Sequence, residues 1–181
     1  TPVCTLENPF TGNYDGNGYT ISGLTPNGRD LAVFGYNGVD GVVKNITVTG
    51  TLTAGNQNTG IAAIAVKNFG SIKNSTSRLA VTGRVQALAG IALYNDGTIS
   101  GCTNAGALDS KVDSSTESGN VLEATGGQCG GIVSENGPNG VITSCTNTAP
   151  VSGARVGGIA TVSDGELSDC TNTGSITMHT R

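Results

Sequence analysis

One twelve-residue pattern is written repeatedly along the chain, and any fold the chain adopts must bring the copies into equivalent places. The clearest copy runs from Gly140 to Val151 (Gly-Val-Ile-Thr-Ser-Cys-Thr-Asn-Thr-Ala-Pro-Val). Close copies start at Gly97 and Gly165, looser ones at Gly41 and Gly70. Two places after these glycines stand Val43, Ile72, Ile99, Ile142 and Leu167; eleven places after them stand Leu52, Val81, Leu108, Val151 and Ile176. Both positions are aliphatic in every copy, so both are predicted to face inward. A third inward row is predicted at Val33, Ile61, Ile91, Ile132 and Ile159, four of which follow a glycine.

These rows recur every 25 to 30 residues, apart from one interval of about 42. The regular leucines of a leucine-rich repeat and the helix-period alanines of ankyrin or tetratricopeptide repeats are missing. Short apolar anchors between Gly and Asn turns fit the coil of a β-solenoid, in which like residues stack at the strand spacing and no coil is stable alone. Composition agrees: 29 glycines, no tryptophan and 12% charged residues, against about 25% in an ordinary domain. The predicted fold is therefore all-β, a right-handed parallel β-helix of about five to six coils, with residues 1–181 forming a single β-helix.

Each position of the pattern then acquires a role. Five places after the glycine come Ile46, Ser75, Cys102, Cys145 and Cys170, an inward row that reads as buried free thiols rather than a disulfide, metal or redox ladder. The next place is threonine in every copy (Thr47, Thr76, Thr103, Thr146, Thr171), an outward row by strand alternation. An ice-binding face needs a second regular row, and two places on Arg78 and Ala105 interrupt it. Asn104, Asn147 and Asn172 are predicted to stack at a turn. Asn45-Ile46-Thr47 and Asn74-Ser75-Thr76 match the glycosylation pattern because the repeat itself places Asn there. Asp15-Gly16-Asn17-Gly18 reads as a tight turn between short strands, since the further ligands of a calcium loop do not follow.

The long interval marks an insertion, assigned to 109–128, of about 14 extra residues between Leu108 and Ile132. Loops that interrupt solenoids often bind, so Asp109, Lys111, Asp113, Glu117 and Glu123 are the candidate binding residues, for host or matrix glycans or proteins. Catalysis is not expected. Asp40, Asp96 and Asp164 share the place before the coil glycine, but Phe69 and Asn139 complete that column, and His179 stands alone. A net charge of -4 with scattered Lys and Arg gives no nucleic-acid footprint. No apolar run approaches a membrane span, and the wide spacing of five cysteines disfavours zinc, so neither membrane insertion nor a metal or cofactor is expected.

Pro9-Phe10-Thr11-Gly12, the stretch from Asp15 to Leu24, Phe34-Gly35, the Gly-Gly-Ile coils and the Cys-Thr-Asn-Thr-Gly turns together resemble the GLUG-type repeat regions of bacterial secreted and cell-surface proteins. Such regions include the non-catalytic part of IgA-specific metalloendopeptidases. The resemblance covers nearly the whole chain and implies an extracellular or cell-surface module, a spacer or adhesin-like domain, neighboured by other domains of a longer chain. The His-Glu-x-x-His motif of those peptidases is absent. The opening Thr1-Pro2-Val3 and the closing Gly174 to Met178 likewise predict a fragment. The competing expectations are a glycan- or protein-binding module using the 109–128 loop, a polysaccharide-active β-helix enzyme, and an ice-binding threonine face.

Overall fold

The computed structural model describes residues 2–55, 58–112 and 127–179, and these form a parallel β-solenoid of five turns preceded by a partial opening coil. Four faces run along its axis. The first stacks Asp30–Leu31, Gly60–Ala62, Ala87–Ala89, Gln128–Gly130 and Arg155–Gly157. The second stacks Phe34–Asn37, Ala65–Asn68, Ala92–Asn95, Val133–Asn136 and Ala160–Ser163. The third begins at Asn13–Asp15 and continues through Val42–Lys44, Ser71–Lys73, Thr98–Ser100, Val141–Thr143 and Glu166–Ser168. The fourth begins at Thr20–Ile21 and includes the two long strands Thr47–Ala54 and Thr76–Gly83. In the last three turns each long strand is split in two, as in Thr103–Asn104 and Leu108–Ser110.

The rows counted from the coil glycine are in register as expected. Val43, Ile72, Ile99 and Ile142 pair in sequence and are wholly buried, as are Leu52, Val81, Leu108 and Val151 to within a few per cent. Each such side chain contributes about 1.5–3 kcal/mol by leaving water. The last members, Leu167 and Ile176, are 43% and 42% exposed, because the fifth turn is covered on one side only.

The third row is corrected by one member. Ile61 pairs with Leu88, not with Ile91, and belongs to a separate inward row of Leu31, Ile61, Leu88, Cys129 and the partly buried Val156. Ile64 takes the predicted place: its amide donates to Ile91 O, as Ile91 donates to Ile132 O and Ile132 to Ile159 O. Gly60-Ile61 imitates the Gly-Ile pairs of the later turns, but its equivalent in the structure is Ala63-Ile64. Cys129 thereby finds its place as one more core residue.

Polar groups inside the solenoid are organised as two asparagine ladders. The expected one joins Asn104, Asn147 and Asn172, each side-chain amide donating to the next carbonyl oxygen at 2.7–2.8 Å. Asn104 also bonds Gly106 in both directions and bends the chain, which is why the fourth face splits from this turn onward. The unexpected one joins Asn37, Asn68, Asn95 and Asn136 at 2.7–2.8 Å and ends on Ser163 Oγ at 3.1 Å. Its asparagines are fully buried, and each also holds the backbone carbonyl of its coil glycine.

The corner between the third and fourth faces explains the residue four places after each coil glycine. Asn45, Asn74, Gly101, Ser144 and Asp169 all adopt φ between 47° and 60°. Asn, Asp and Gly accept this left-handed conformation at the least cost. The apparent glycosylation sites are thus corner residues, and Asn45 additionally donates to Asp15 Oδ1 at 2.9 Å. Asn17 caps the expected Asp15–Gly18 turn by donating its amide to Asp15 Oδ1. Over the opening end of the core lie Phe10, Phe34 and Tyr14, with ring centroids 5.1 and 5.5 Å apart.

Candidate functional site

Of the five residues assigned to the insertion, Asp113, Glu117 and Glu123 lie outside the described residues. Asp109 lies within the strand Leu108–Ser110, paired with Thr82 and Ser152, and Lys111 follows immediately. Gln128 likewise opens the next strand, so both edges of the interval 109–128 belong to the solenoid. Asp109 accepts a 2.7 Å hydrogen bond from Ser152 Oγ, pairs with the Lys111 ammonium and has His179 Nε2 at 3.6 Å. Partial burial pushes its pKa up, but the bonds from Lys111 and Ser152 and the neighbouring positive charges outweigh burial and hold the carboxyl below the usual range. A carboxylate whose folded pKa is depressed stabilises the fold above its unfolded pKa of about 3.9, and that contribution is lost as pH falls through the folded value. Asp109→Asn is accordingly expected to flatten the acid limb of a stability–pH curve below about pH 4, with little change in the limb above pH 8. Thermal melts across the acid range test this; an unchanged acid limb would refute it.

The cysteine row is not uniform: the hydrogen bond between Cys102 and Cys145 raises the first thiol's pKa and lowers the second's. All five cysteines are free, and Cys102, Cys129 and Cys145 are buried. Cys102, Cys145 and Cys170 each donate to the carbonyl two residues earlier, at 3.2–3.4 Å. A hydrogen bond with Cys145 and burial push the Cys102 thiol well up, and burial takes Cys129 to about 12. Thiols held protonated in this way are poor nucleophiles. Among the described residues no group of His, Cys, Asp and Glu is arranged to hold a metal ion.

The threonine row is longer than counted, since Thr20 pairs with Thr47 and extends it to six turns. Arg78 pairs with Thr49 beside it, so the neighbouring row is irregular in the structure too. In the aspartate column Asp96 does not meet another acid: its two oxygens accept from the Asn139 amide and side chain at 3.0 and 3.1 Å.

A concavity of about 440 Å³ lies elsewhere, at the corner between the first and second faces. Along the first face the outward row runs Asp30, Gly60, Ala87, Gln128 and Arg155, so small residues in the middle leave a hollow between long polar ones. Along the second face the row is Tyr36, Lys67, Tyr94 and Glu135. Lys67 Nζ lies 5.7 Å from the ring centroids of both Tyr36 and Tyr94, which orient it without neutralising it. Among the described residues Lys67 makes no ion pair. Leu93 forms part of the floor, in space left by Gly60, where a β-carbon would come within 2.3 Å of it. Ser134 Oγ is 3.0 Å from Gln128 Oε1 and fixes that amide. Burial, followed by the charges of Asp96, Glu135 and Asp164, raises the Tyr94 pKa and keeps its hydroxyl a donor.

Comparison with known proteins gives a partial likeness. Over 83 residues the chain is 35% identical to halomucin of Haloquadratum walsbyi. The matched stretch is 43% of this chain and 1% of halomucin. No family model matches, and no solved structure does.

The concave corner was within reach of the sequence through its buried asparagines. Tyr36, Lys67, Tyr94 and Glu135 each precede one of Asn37, Asn68, Asn95 and Asn136. Counting from the asparagines would have aligned the four on one outward row. The coil glycine misses them because the spacing from asparagine to glycine varies: four residues at Asn37 and Asn136, two at Asn68 and Asn95.

Proposed function

We propose that this chain is a non-catalytic structural module of an extracellular or cell-surface protein, a rigid spacer or adhesin-like solenoid. The observation that carries this reading is the continuity of the Asn37-to-Ser163 ladder. It commits the buried side-chain amides of four successive turns to joining one turn to the next, which suits a rod whose task is shape. The partial likeness to halomucin, a mucin by name, supports placing such a rod outside the cell. The GLUG-type resemblance points the same way, toward modules repeated beside other domains. No residue is assigned a catalytic role.

Antibodies against the folded solenoid test the location. Labelling of intact cells that produce the parent protein, removed by brief external protease treatment, is the expected result. Labelling that appears only after lysis would overturn the extracellular reading.

A further inference from the structure

We infer that the concave corner between the first and second faces is a binding site for a neutral oligosaccharide. The inference stands apart from where the module resides, and it concerns a different surface from the 109–128 interval.

Three observations lead to that chemistry. First, the hollow is built: Gly60 and Ala87 recess the middle of an outward row whose flanking members, Asp30 and Gln128, are long and polar. Three coil steps at about 4.8 Å give a trough of roughly 14 Å, and its volume is at the small end of ligand sites, as fits a short chain of rings. Second, the rim offers both kinds of hydrogen-bonding partner. The Asp30 and Glu135 carboxylates accept, the Lys67 ammonium donates, and the Gln128 amide can do both. Hydroxyls are donor and acceptor at once, so a polyol satisfies such a mixed rim, whereas an anion meets the acids and a polycation meets Lys67. Third, the floor under the rim is apolar at Leu93, and the CH face of a sugar ring can cover it.

A peptide is disfavoured by the backbone. Strands that border the corner, such as Gly60–Ala62, Ala87–Ala89 and Ala92–Asn95, are hydrogen-bonded to a neighbouring turn on each side. Between Asp30–Leu31, the edge strand of its sheet, and Gln128 the trough therefore offers no strand edge for an extended peptide to join, and recognition along its length has to come from side chains.

The test titrates the folded chain with cellohexaose, xylohexaose, mannohexaose and maltohexaose, with hexagalacturonate as the charged comparison, by calorimetry and methyl NMR. At least one neutral hexaose is expected to saturate, shifting the Leu93 methyl resonances. Lys67→Met and Glu135→Gln are each expected to weaken that binding at least tenfold. Both side chains reach the surface, and unchanged circular dichroism and melting temperature confirm the fold of each variant. Lys73→Met, exposed on the third face, is expected to leave affinity unchanged. The inference is overturned if no neutral hexaose binds, if hexagalacturonate alone binds and salt abolishes it, or if Lys67→Met and Glu135→Gln bind as tightly as the parent chain. None of these outcomes bears on cell-surface labelling, so the two readings fail separately.

Discussion

Asn95→Leu is expected to remove about 3–6 kcal/mol of stability, a large fraction of what holds a typical domain together. The side chain is fully buried and sits mid-ladder. It accepts from Asn68 Nδ2 at 2.7 Å and donates to Asn136 Oδ1 at 2.8 Å and Gly97 O at 3.1 Å. Leucine matches the branching of asparagine at Cγ but is bulkier, which adds an overpacking cost to the lost bonds. Beyond packing, a buried donor on one turn and a buried acceptor on the next lose their partners, each at about 1–3 kcal/mol, together with the tie to the coil glycine. Urea denaturation should show a lower midpoint at unchanged slope. Asn172→Leu provides the comparison, because Asn172 is exposed on the last turn and water can replace its bonds. Equal losses at the two positions would refute the ladder account.

Gly97→Ala is expected to be nearly as damaging, at about 3–5 kcal/mol, for a reason that has nothing to do with conformational freedom. A β-carbon on Gly97 would lie 2.2 Å from the Gly70 carbonyl oxygen and 2.6 Å from the Phe69 carbonyl carbon. Both are backbone atoms of the previous turn and cannot rotate aside. Relief requires the turns to separate, yet Thr98 N donates to that same Gly70 oxygen at 2.8 Å. Gly18→Ala is the opposite case: φ is +78° and no atom lies within 4 Å of the added carbon. Strain alone should cost it about 1 kcal/mol. At roughly 2–4 °C per kcal/mol for a chain of this size, the melting temperatures should separate clearly. Similar melting temperatures for the two variants would count against steric exclusion at the coil glycine.

Those two residues mark what could and could not be read from the chain. Gly97 announces itself, because Gly41, Gly70, Gly97, Gly140 and Gly165 share a frame with aliphatic partners at fixed distances, and a steric requirement tolerates no substitute. The parallel coils, two of the buried rows, the threonine face and the Asn104 ladder all follow from that frame. Asn95 was invisible in it. The distance from ladder asparagine to coil glycine varies between four and two residues, since the turn between them can change length while both ends stay stacked. The same tolerance hid the register of Ile64, where Gly60-Ile61 offers a better local match to the later Gly-Ile pairs than Ala63-Ile64 does. The concave corner was lost with the ladder, as its Tyr36, Lys67, Tyr94 and Glu135 share no chemistry that a repeat search would align. Asp109 was singled out for its position at an insertion, while its surroundings, Ser152 and His179, are supplied by turns 43 and 70 residues further along.

The direction of the bonds between turns has a mechanical consequence. Strand-to-strand hydrogen bonds, and the Asn37-to-Ser163 amides with them, run along the solenoid axis. A pull along that axis therefore loads them in tension. Each turn of 25 to 30 residues would pay out roughly 80–110 Å of extended chain before the next is loaded. The module would lengthen in discrete steps under force, with the turns not yet reached still folded.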